Sequence, residues 1–185
     1  MNLRRFLGRW LKPLIVTVAG GLLYFALGAL LRLPPLFGLS FKFQYAALGL
    51  AAVVYGPFTG AAVALLGEVL LAAWGAGFWW SVIAASVAAG FVTGVLCNRR
   101  YLRSGGFHGG AMARYILGSL AAHAIAWLVV CPALDLLFYR EALDNLIRRG
   151  AFTAVASGLV AIVAGGLLCA VFSGLLPWQR DRSPA

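Results

Sequence analysis

The feature that most constrains the fold is a series of six apolar runs, which are separated by prolines, glycines and basic residues. The runs cover residues 14–31, 41–55, 58–74, 78–96, 113–134 and 151–176. Their lengths lie near the roughly 20 residues that a helix needs to cross a bilayer. They do not alternate apolar and polar residues, as membrane strands do, so they predict helices. The sequence therefore predicts an all-α membrane protein, a bundle of six transmembrane helices.

Composition supports this interpretation and limits the domain count. Hydrophobic residues make up 63% and charged residues 11% of the 185 residues, whereas soluble domains are about half apolar and about a quarter charged. This length leaves room for one domain, so residues 1–185 are predicted to form a single membrane domain. The net charge of +10 does not indicate nucleic acid, because the basic residues flank the apolar runs. The domain is expected to lie in the lipid bilayer.

The distribution of basic residues predicts that both chain termini are cytoplasmic. In that orientation ten basic residues lie inside, namely Arg4, Arg5, Arg9, Lys12, Arg99, Arg100, Arg103, Arg114, Arg180 and Arg182. Five lie outside, namely Arg32, Lys42, Arg140, Arg148 and Arg149. The three cysteines show no metal-ligand spacing and are expected to be packing residues.

Glu68 is the residue that stands out in this apolar chain. It lies within the third run, in the context ALLGEVLLAAW, where an exposed charge would cost about 3 kcal/mol in the middle of a bilayer. It should therefore face the bundle interior or a wet cavity, at a depth suited to a pocket that opens to the outside. The alternative is a structural carboxyl that is paired or protonated inside the bundle.

Other candidate ligand-binding residues lie near the same predicted outer side. Gln44 and Phe43 begin the second run, where the amide of Gln44 can read a polar ligand edge. The neighbouring Lys42 is expected to extend to lipid head groups. His123 is the other titratable group within a run, and it is either a ligand contact or a packed bundle histidine.

Aromatic and polar residues of two outer connections complete the candidate set. Trp79 and Trp80 cluster with Trp74 and Phe78, and the cluster is either an interfacial aromatic belt or a stacking platform for a flat ligand. The segment that joins the last two runs carries polar groups that either cap a pocket or form a solvated face. These groups are Asp135, Tyr139, Asp144 and Asn145.

Nothing in the sequence predicts an enzyme. HExxH, GxSxG and Gly-rich phosphate-loop motifs are absent from the sequence, and no catalytic residue, metal site or cofactor is expected. Any use of ATP would need another chain.

Small residues spaced for close helix contact serve packing within the bundle or docking of another membrane subunit. The candidate docking surface on the first helix consists of Thr17, Gly20, Gly21 and Gly28.

Three stretches resemble one family of membrane proteins. They are FKFQYAALGLAAVVYGPFTGAAVALLGE, GFWWSVIAAS and AIAWLVVCPALDLLFYREALDNLIRRGAF. Their order and spacing resemble the S components, or substrate-binding subunits, of energy-coupling-factor (ECF) transporters. The likeness is to the riboflavin-type branch that includes transporters of queuosine precursors, and it covers residues 17–174.

The resemblance implies a six-helix bundle in a bacterial cell membrane, with a pocket near the outer face. It implies a transmembrane coupling subunit, the T component, which docks on small residues of the first helix. Two cytoplasmic ATPases would power a toppling of the S component that releases substrate inward. Members of that branch commonly have a histidine at the position of Glu68, an acidic residue at Ala72 and an asparagine at His123. These departures leave the ligand open.

We therefore expect a subunit that binds a vitamin-like micronutrient of the queuosine-precursor (deazapurine) or flavin type. One alternative is a solitary secondary transporter with a proton site at Glu68 or His123. Another is a membrane sensor or assembly subunit that transports nothing.

Overall fold

The computed structural model describes residues 3–31, 41–97, 107 and 109–175, and all regular secondary structure in these ranges is helical. Six helices follow one another: α1 Leu3–Leu30, α2 Gln44–Tyr55, α3 Pro57–Leu71, α4 Trp80–Leu96, α5 and α6. Helix α5 consists of Gly110–Ala124, a π-helical turn at Ile125–Val130, and Cys131–Tyr139. Helix α6 consists of Leu143–Val160, a π-helical turn at Ala161–Gly165, and Gly166–Leu175. The predicted six-helix all-α fold is confirmed.

Four stretches are long and apolar enough to cross a membrane: Leu11–Leu30, Pro57–Ala76, Gly110–Tyr139 and Leu143–Ser173. Helices α2 and α4 are apolar but shorter. The 12 residues of α2 extend only about 18 Å at 1.5 Å per residue. All but two of them are buried, so neighbouring helices rather than lipid surround this short helix.

The connection between α5 and α6 is much shorter than the sequence predicts. Helix α5 continues to Tyr139 and α6 begins at Leu143, so the predicted start near residue 151 is wrong. The charges that suggested a polar connection are accommodated in the helices, where Asp135 of α5 forms an ion pair with Arg149 of α6. Arg140, with a left-handed φ of 53°, ends α5.

Glycine contacts hold α3 and α4 close together at one end of the bundle. A Cβ atom on Gly60 would lie 2.7 Å from the carbonyl oxygen of Gly90, and one on Gly94 would collide with the backbone of Pro57. Side chains cannot be added here without moving the backbone, so this end is closed. Cys97 and Cys169 pack nearby with Tyr115.

The glycines of the predicted docking surface on α1 lie against α3 within this chain. A Cβ on Gly20 would meet Val63, and one on Gly21 would meet Leu66. A Cβ on Gly28 would lie 2.8 Å from Leu71 Cδ1. Thr17 is half-buried. The face of α1 that remains exposed carries large aliphatic side chains instead, namely Leu14, Ile15, Val18 and Leu22. Docking of a partner on α1 stays a prediction.

The helices alternate in direction, so the C-terminal ends of α1, α3 and α5 lie beside the N-terminal ends of α2, α4 and α6. We call this the cavity end, because residues from all six of these helix ends line two adjoining cavities. At the opposite, closed end, Arg114 near the start of α5 donates a hydrogen bond to the carbonyl oxygen of Leu96 at the end of α4.

Candidate functional site

Glu68 lies at the centre of a buried network of hydroxyl groups. Its side chain is 7% exposed. Its Oε1 atom accepts hydrogen bonds from Tyr24 Oη at 2.6 Å and from Ser86 Oγ at 2.9 Å. Tyr45 Oη lies 2.8 Å from Ser86 Oγ and extends the network. Each of the four residues comes from a different helix, α1 to α4, so the carboxylate is held in place by the fold.

The second carboxylate oxygen of Glu68 is left for other partners. Within the residues that the structure describes, no hydrogen bond reaches Oε2 and no basic nitrogen forms an ion pair with Glu68. The neighbouring groups of Glu68 are neutral hydroxyls, which orient a carboxylate without cancelling its charge. Such an oxygen can accept a hydrogen bond from a donor in the adjoining space.

That space is a cavity of about 410 Å³, which falls within the range typical of small-molecule sites. We call it the large cavity. Polar groups enter it from Glu68, Gln44 and Lys42, and Trp79 forms an aromatic wall. The remaining lining is apolar or glycine: Gly28, Leu31, Phe41, Leu71, Ala72, Ala76, Gly77, Val82 and Ile83. A mostly apolar pocket with a few convergent polar groups is the usual construction of a ligand site.

The sequence suggested that Lys42 extends to lipid head groups, and the structure shows that it does not. Its Nζ atom lies 4.6 Å from the centre of the Trp127 ring, in a cation–π contact. The residue lines the large cavity and also the neighbouring one. The attraction between the ammonium and the face of the Trp127 ring favours this inward position of Lys42.

The second cavity, of about 220 Å³, lies between α5 and α6, and we call it the small cavity. Asp135 is 1% exposed there, and its Oδ2 atom lies 2.5 Å from Arg149 Nη2. Arg149 also lies 3.3 Å from Glu141 Oε2. Two polar atoms of its lining residues, Asp135 Oδ1 and Trp127 Nε1, are buried without a hydrogen-bond partner in the described part of the chain.

The structure separates the two neighbouring tryptophans. Trp79 lines both cavities, and its ring centre lies 5.4 Å from that of Tyr139. Trp80 is 62% exposed and lies beside Phe78, away from both cavities. Trp79 is therefore placed to contact a ligand, while Trp80 is placed like a residue of an aromatic belt.

Other predicted binding residues lie outside the cavity linings. His123 is buried, with Nδ1 2.9 Å from the carbonyl oxygen of Ser119 and its ring packed edge-on against Tyr45. Asn145 is exposed and accepts a hydrogen bond from Arg148. Phe43 precedes α2, and Phe41 rather than Phe43 lines the large cavity. Asp144 is exposed in the first turn of α6.

Four residues of the site were missed by sequence analysis: Tyr24, Tyr45, Ser86 and Arg149. Each of these residues is a polar residue within or next to an apolar run, and this is the feature by which the sequence could have indicated them. The three hydroxyls are spread over residues 24 to 86, and nothing in their spacing shows that they meet at Glu68.

The fold and the site together define a class of protein. A bundle of membrane helices that is closed at one end, with a pocket containing few polar groups at the other, is the architecture of a membrane-embedded binding protein. A cluster of three or more residues able to hold a metal ion is not found among the described residues.

Comparison with known sequences specifies the class. The profile of the family described as "ECF-type riboflavin transporter, S component" matches residues 14–173. This chain belongs to that family, which confirms the resemblance seen in the sequence. It is accordingly a membrane-embedded, substrate-binding transport subunit and not an enzyme.

Relatives in streptococci cover most of the chain. A UPF0397 protein of Streptococcus gordonii is 30% identical over 150 residues, which cover 80% of this chain and 81% of the relative. A UPF0397 protein of Streptococcus pneumoniae is 30% identical over 154 residues, which cover 80% and 82%. No solved structure matches the chain significantly.

Proposed function

We propose that this subunit captures a flat, vitamin-like nitrogen heterocycle from outside the cell for ATP-driven uptake. The observation that carries the proposal is Glu68, a fixed carboxylate without an ion-pair partner among the described residues, which lines a 410 Å³ cavity together with Gln44 and Trp79. The two substrate types that fit are a deazapurine, such as a queuosine precursor, and a flavin.

The polar groups of the large cavity match the edge of such a ring. A carboxylate accepts hydrogen bonds from adjacent N–H groups, as found on a guanine-like edge, and the amide of Gln44 both donates and accepts. Adjacent N–H donors favour a deazapurine over a flavin. Hydrogen bonds to a charged group contribute about 1.5–3 kcal/mol each, so this contact has a large effect on affinity.

The aromatic wall of the cavity suits a flat ring. Trp79 is half-exposed and lines the cavity, and its ring centre lies 5.4 Å from that of Tyr139. Offset stacking of aromatic rings contributes about 0.5–1.5 kcal/mol beyond the area that it buries. A ring stacked on Trp79 would share the cavity with the polar groups of Glu68 and Gln44.

Partners follow from family membership as part of the same proposal. A T component would dock on the membrane face of the subunit, with α1 as the candidate surface, and two cytoplasmic ATPases would supply the energy. The close packing of α3 and α4 at the closed end supports this arrangement, because it favours an entrance at the other end. The cavity end is expected to face outside, and release inward by a toppling of the subunit is what membership of the family implies.

A thermal-shift screen of the detergent-purified protein tests the substrate class. The panel contains 7-aminomethyl-7-deazaguanine, queuine and riboflavin, with thiamine, folate, biotin, pantothenate and cobalamin as competitors. A ligand at a hundred times its dissociation constant stabilises the folded state by about 2.7 kcal/mol. We expect a clear rise in Tm with a deazapurine or a flavin. A rise with only one of the competitors would contradict the proposal.

Uptake into liposomes tests the mode of transport. We expect uptake only when the T component, both ATPases and ATP are present with this subunit. Uptake by the subunit alone under a pH gradient would instead support a solitary proton-coupled transporter. Ligand binding without uptake in either arrangement would support a sensor.

A further inference from the structure

The hydrogen bonds of the Glu68 network all run toward one oxygen atom. Tyr24 Oη and Ser86 Oγ both donate to Glu68 Oε1, at 2.6 Å and 2.9 Å. A serine hydroxyl carries a single proton, and Ser86 gives its proton to Glu68. In the 2.8 Å contact between Ser86 and Tyr45, the tyrosine must therefore be the donor. The three hydroxyls form a chain of donors that ends at Glu68.

The second carboxylate oxygen of Glu68 differs from the first. Oε2 forms no hydrogen bond with a described residue, and it is not among the fully buried polar atoms that lack a partner. Oε2 therefore touches open space, and the space that Glu68 lines is the large cavity. A carboxylate has about four acceptor positions on its two oxygens. A network that served only to pair a buried carboxylate would use both oxygens, whereas this network leaves Oε2 open.

The hydroxyl groups are themselves held by close packing, so they can fix the orientation of the carboxylate. Tyr24, Tyr45 and Ser86 are each 0% exposed. The ring of Tyr24 lies against Gly67, where a Cβ atom would collide with it. Tyr45 packs edge-on against Tyr24 on one side and His123 on another, with ring centres 5.9 Å and 5.2 Å apart. Because donors from α1 and α4 hold the same oxygen, the carboxylate cannot turn without breaking a hydrogen bond.

We propose that Tyr24, Ser86 and Tyr45 are positioning residues, which hold Glu68 as a fixed acceptor and thereby make the site select ring edges with N–H donors. This inference rests on the proposed function, because it needs a ligand that contacts Glu68. A donor that meets a fixed acceptor pairs with it at little cost in side-chain freedom. A ring edge without such a donor leaves the carboxylate oxygen unpaired. The three residues act through Glu68, and they line neither cavity.

Two pairs of ligands that differ in one N–H donor group test this selectivity. In the first pair, 7-aminomethyl-7-deazaguanine is compared with its analogue that lacks the 2-amino group. In the second pair, riboflavin is compared with 3-methylriboflavin, in which a methyl group replaces the N3 proton. Titration calorimetry with the purified protein gives the dissociation constants of all four compounds. The readout is the ratio of the two dissociation constants within a pair, because a general loss of folding affects both compounds alike.

Each variant removes one hydroxyl group and has a matched control. Tyr24→Phe and Tyr45→Phe are compared with Tyr115→Phe, which also removes a buried tyrosine hydroxyl. Ser86→Ala is compared with Ser157→Ala, which removes a buried serine hydroxyl. The hydroxyls of both control residues donate to carbonyl oxygens of α6 and have no contact with the Glu68 network.

We expect the donor-bearing compound of one pair to bind the wild-type protein about tenfold more tightly than its partner, as a hydrogen bond to a charged group allows. Tyr24→Phe and Ser86→Ala should each reduce this ratio about threefold or more, since each removes one donor from Oε1. Both control variants should leave it unchanged. Tyr45→Phe should reduce the ratio less, and it should have no effect in a protein that already carries Ser86→Ala, because Tyr45 acts through Ser86.

The possible results separate this inference from the proposed function. If Glu68→Gln abolishes the ratio but Tyr24→Phe and Ser86→Ala behave like their controls, the positioning role is refuted and the proposed function stands. Equal affinities within both pairs for the wild-type protein would refute the selectivity, and with it this inference, while the proposed class of ligand stands. If none of the four compounds binds, both the proposed function and the positioning role are wrong.

Discussion

The closed end and the cavity end of this bundle are built from the same six helices but differ in their side chains. Glycines bring helices together at the closed end, and larger polar and aromatic residues surround space at the cavity end. At the closed end, Gly60 faces Gly90 and Gly94 faces Pro57, so α3 and α4 approach until their backbones touch. At the cavity end, Glu68, Gln44 and Trp79 surround open space. Both described cavities therefore lie at one end of the bundle, away from the glycine contacts between α3 and α4.

Buried polar groups without partners are not confined to one end of the bundle. Toward the closed end, Tyr115 donates a hydrogen bond to the carbonyl oxygen of Ala161 at 2.6 Å, whereas Ser119 Oγ, one turn further along α5, lacks a partner among the described residues. Trp127 Nε1 and Asp135 Oδ1, which belong to lining residues of the small cavity, also lack described partners. The two ends therefore differ in open space and not in the pairing of their buried polar groups.

The largest expected effect comes from adding a single methyl group at the closed end. Gly94→Ala places a Cβ against the rigid backbone of Pro57, and such overpacking costs about 1–3 kcal/mol. We expect the Tm in detergent to fall by about 5 °C, from about 2–4 °C per kcal/mol at this chain length. Gly110→Ala is the control, because nothing lies within 4 Å of its Cβ position. Equal Tm values for the two variants would show that the end is not tightly closed.

The next largest effect is a difference in ligand affinity between variants of two adjacent residues at the cavity end, Trp79 and Trp80. Trp79→Ala removes the aromatic wall of both cavities and should weaken ligand binding about tenfold, which corresponds to about 1.4 kcal/mol. Trp80→Ala removes an exposed ring outside the cavities and should leave affinity unchanged. Titration calorimetry with the compound found in the screen measures both. A larger loss for Trp80→Ala would place the ligand outside the cavities described here.

The smallest effect on binding is expected at His123. Its ring packs against Tyr45, and the residue does not line either cavity. His123→Asn should therefore change ligand affinity by less than about twofold. It should still lower the Tm, because an edge-on aromatic contact contributes about 0.5–1.5 kcal/mol. A tenfold loss of affinity at unchanged Tm would contradict this prediction and would show that His123 contacts the ligand.

The sequence was sufficient to predict the six helices and to single out Glu68. Apolar runs between prolines, glycines and basic residues define membrane helices without further information. A carboxylate within such a run must avoid lipid, and Glu68 indeed lies in the bundle interior. Residues such as Gln44 and Trp79 were found because they begin apolar runs at the same end.

What the sequence could not reveal depends on contacts between distant helices. Asp135 and Arg149 looked like parts of a polar connection until their ion pair was seen. Lys42 looked like an interfacial lysine, because the sequence does not show that the Trp127 ring lies beside it. The rotation of each helix about its axis was also unknown, and that rotation decides that Gly20 and Gly21 face α3.

The most direct test of the central claim, that Glu68 binds the substrate in the large cavity, is the dissociation constant of Glu68→Gln. Glutamine keeps an oxygen that can accept the hydrogen bonds from Tyr24 and Ser86, so the variant removes the charge with little change in packing. Asp144→Asn is the matched control, an acid-to-amide change on an exposed residue. Calorimetry with the ligand found in the screen should show at least tenfold weaker binding for Glu68→Gln and no change for the control. Equal affinities of Glu68→Gln and wild-type protein would contradict the claim.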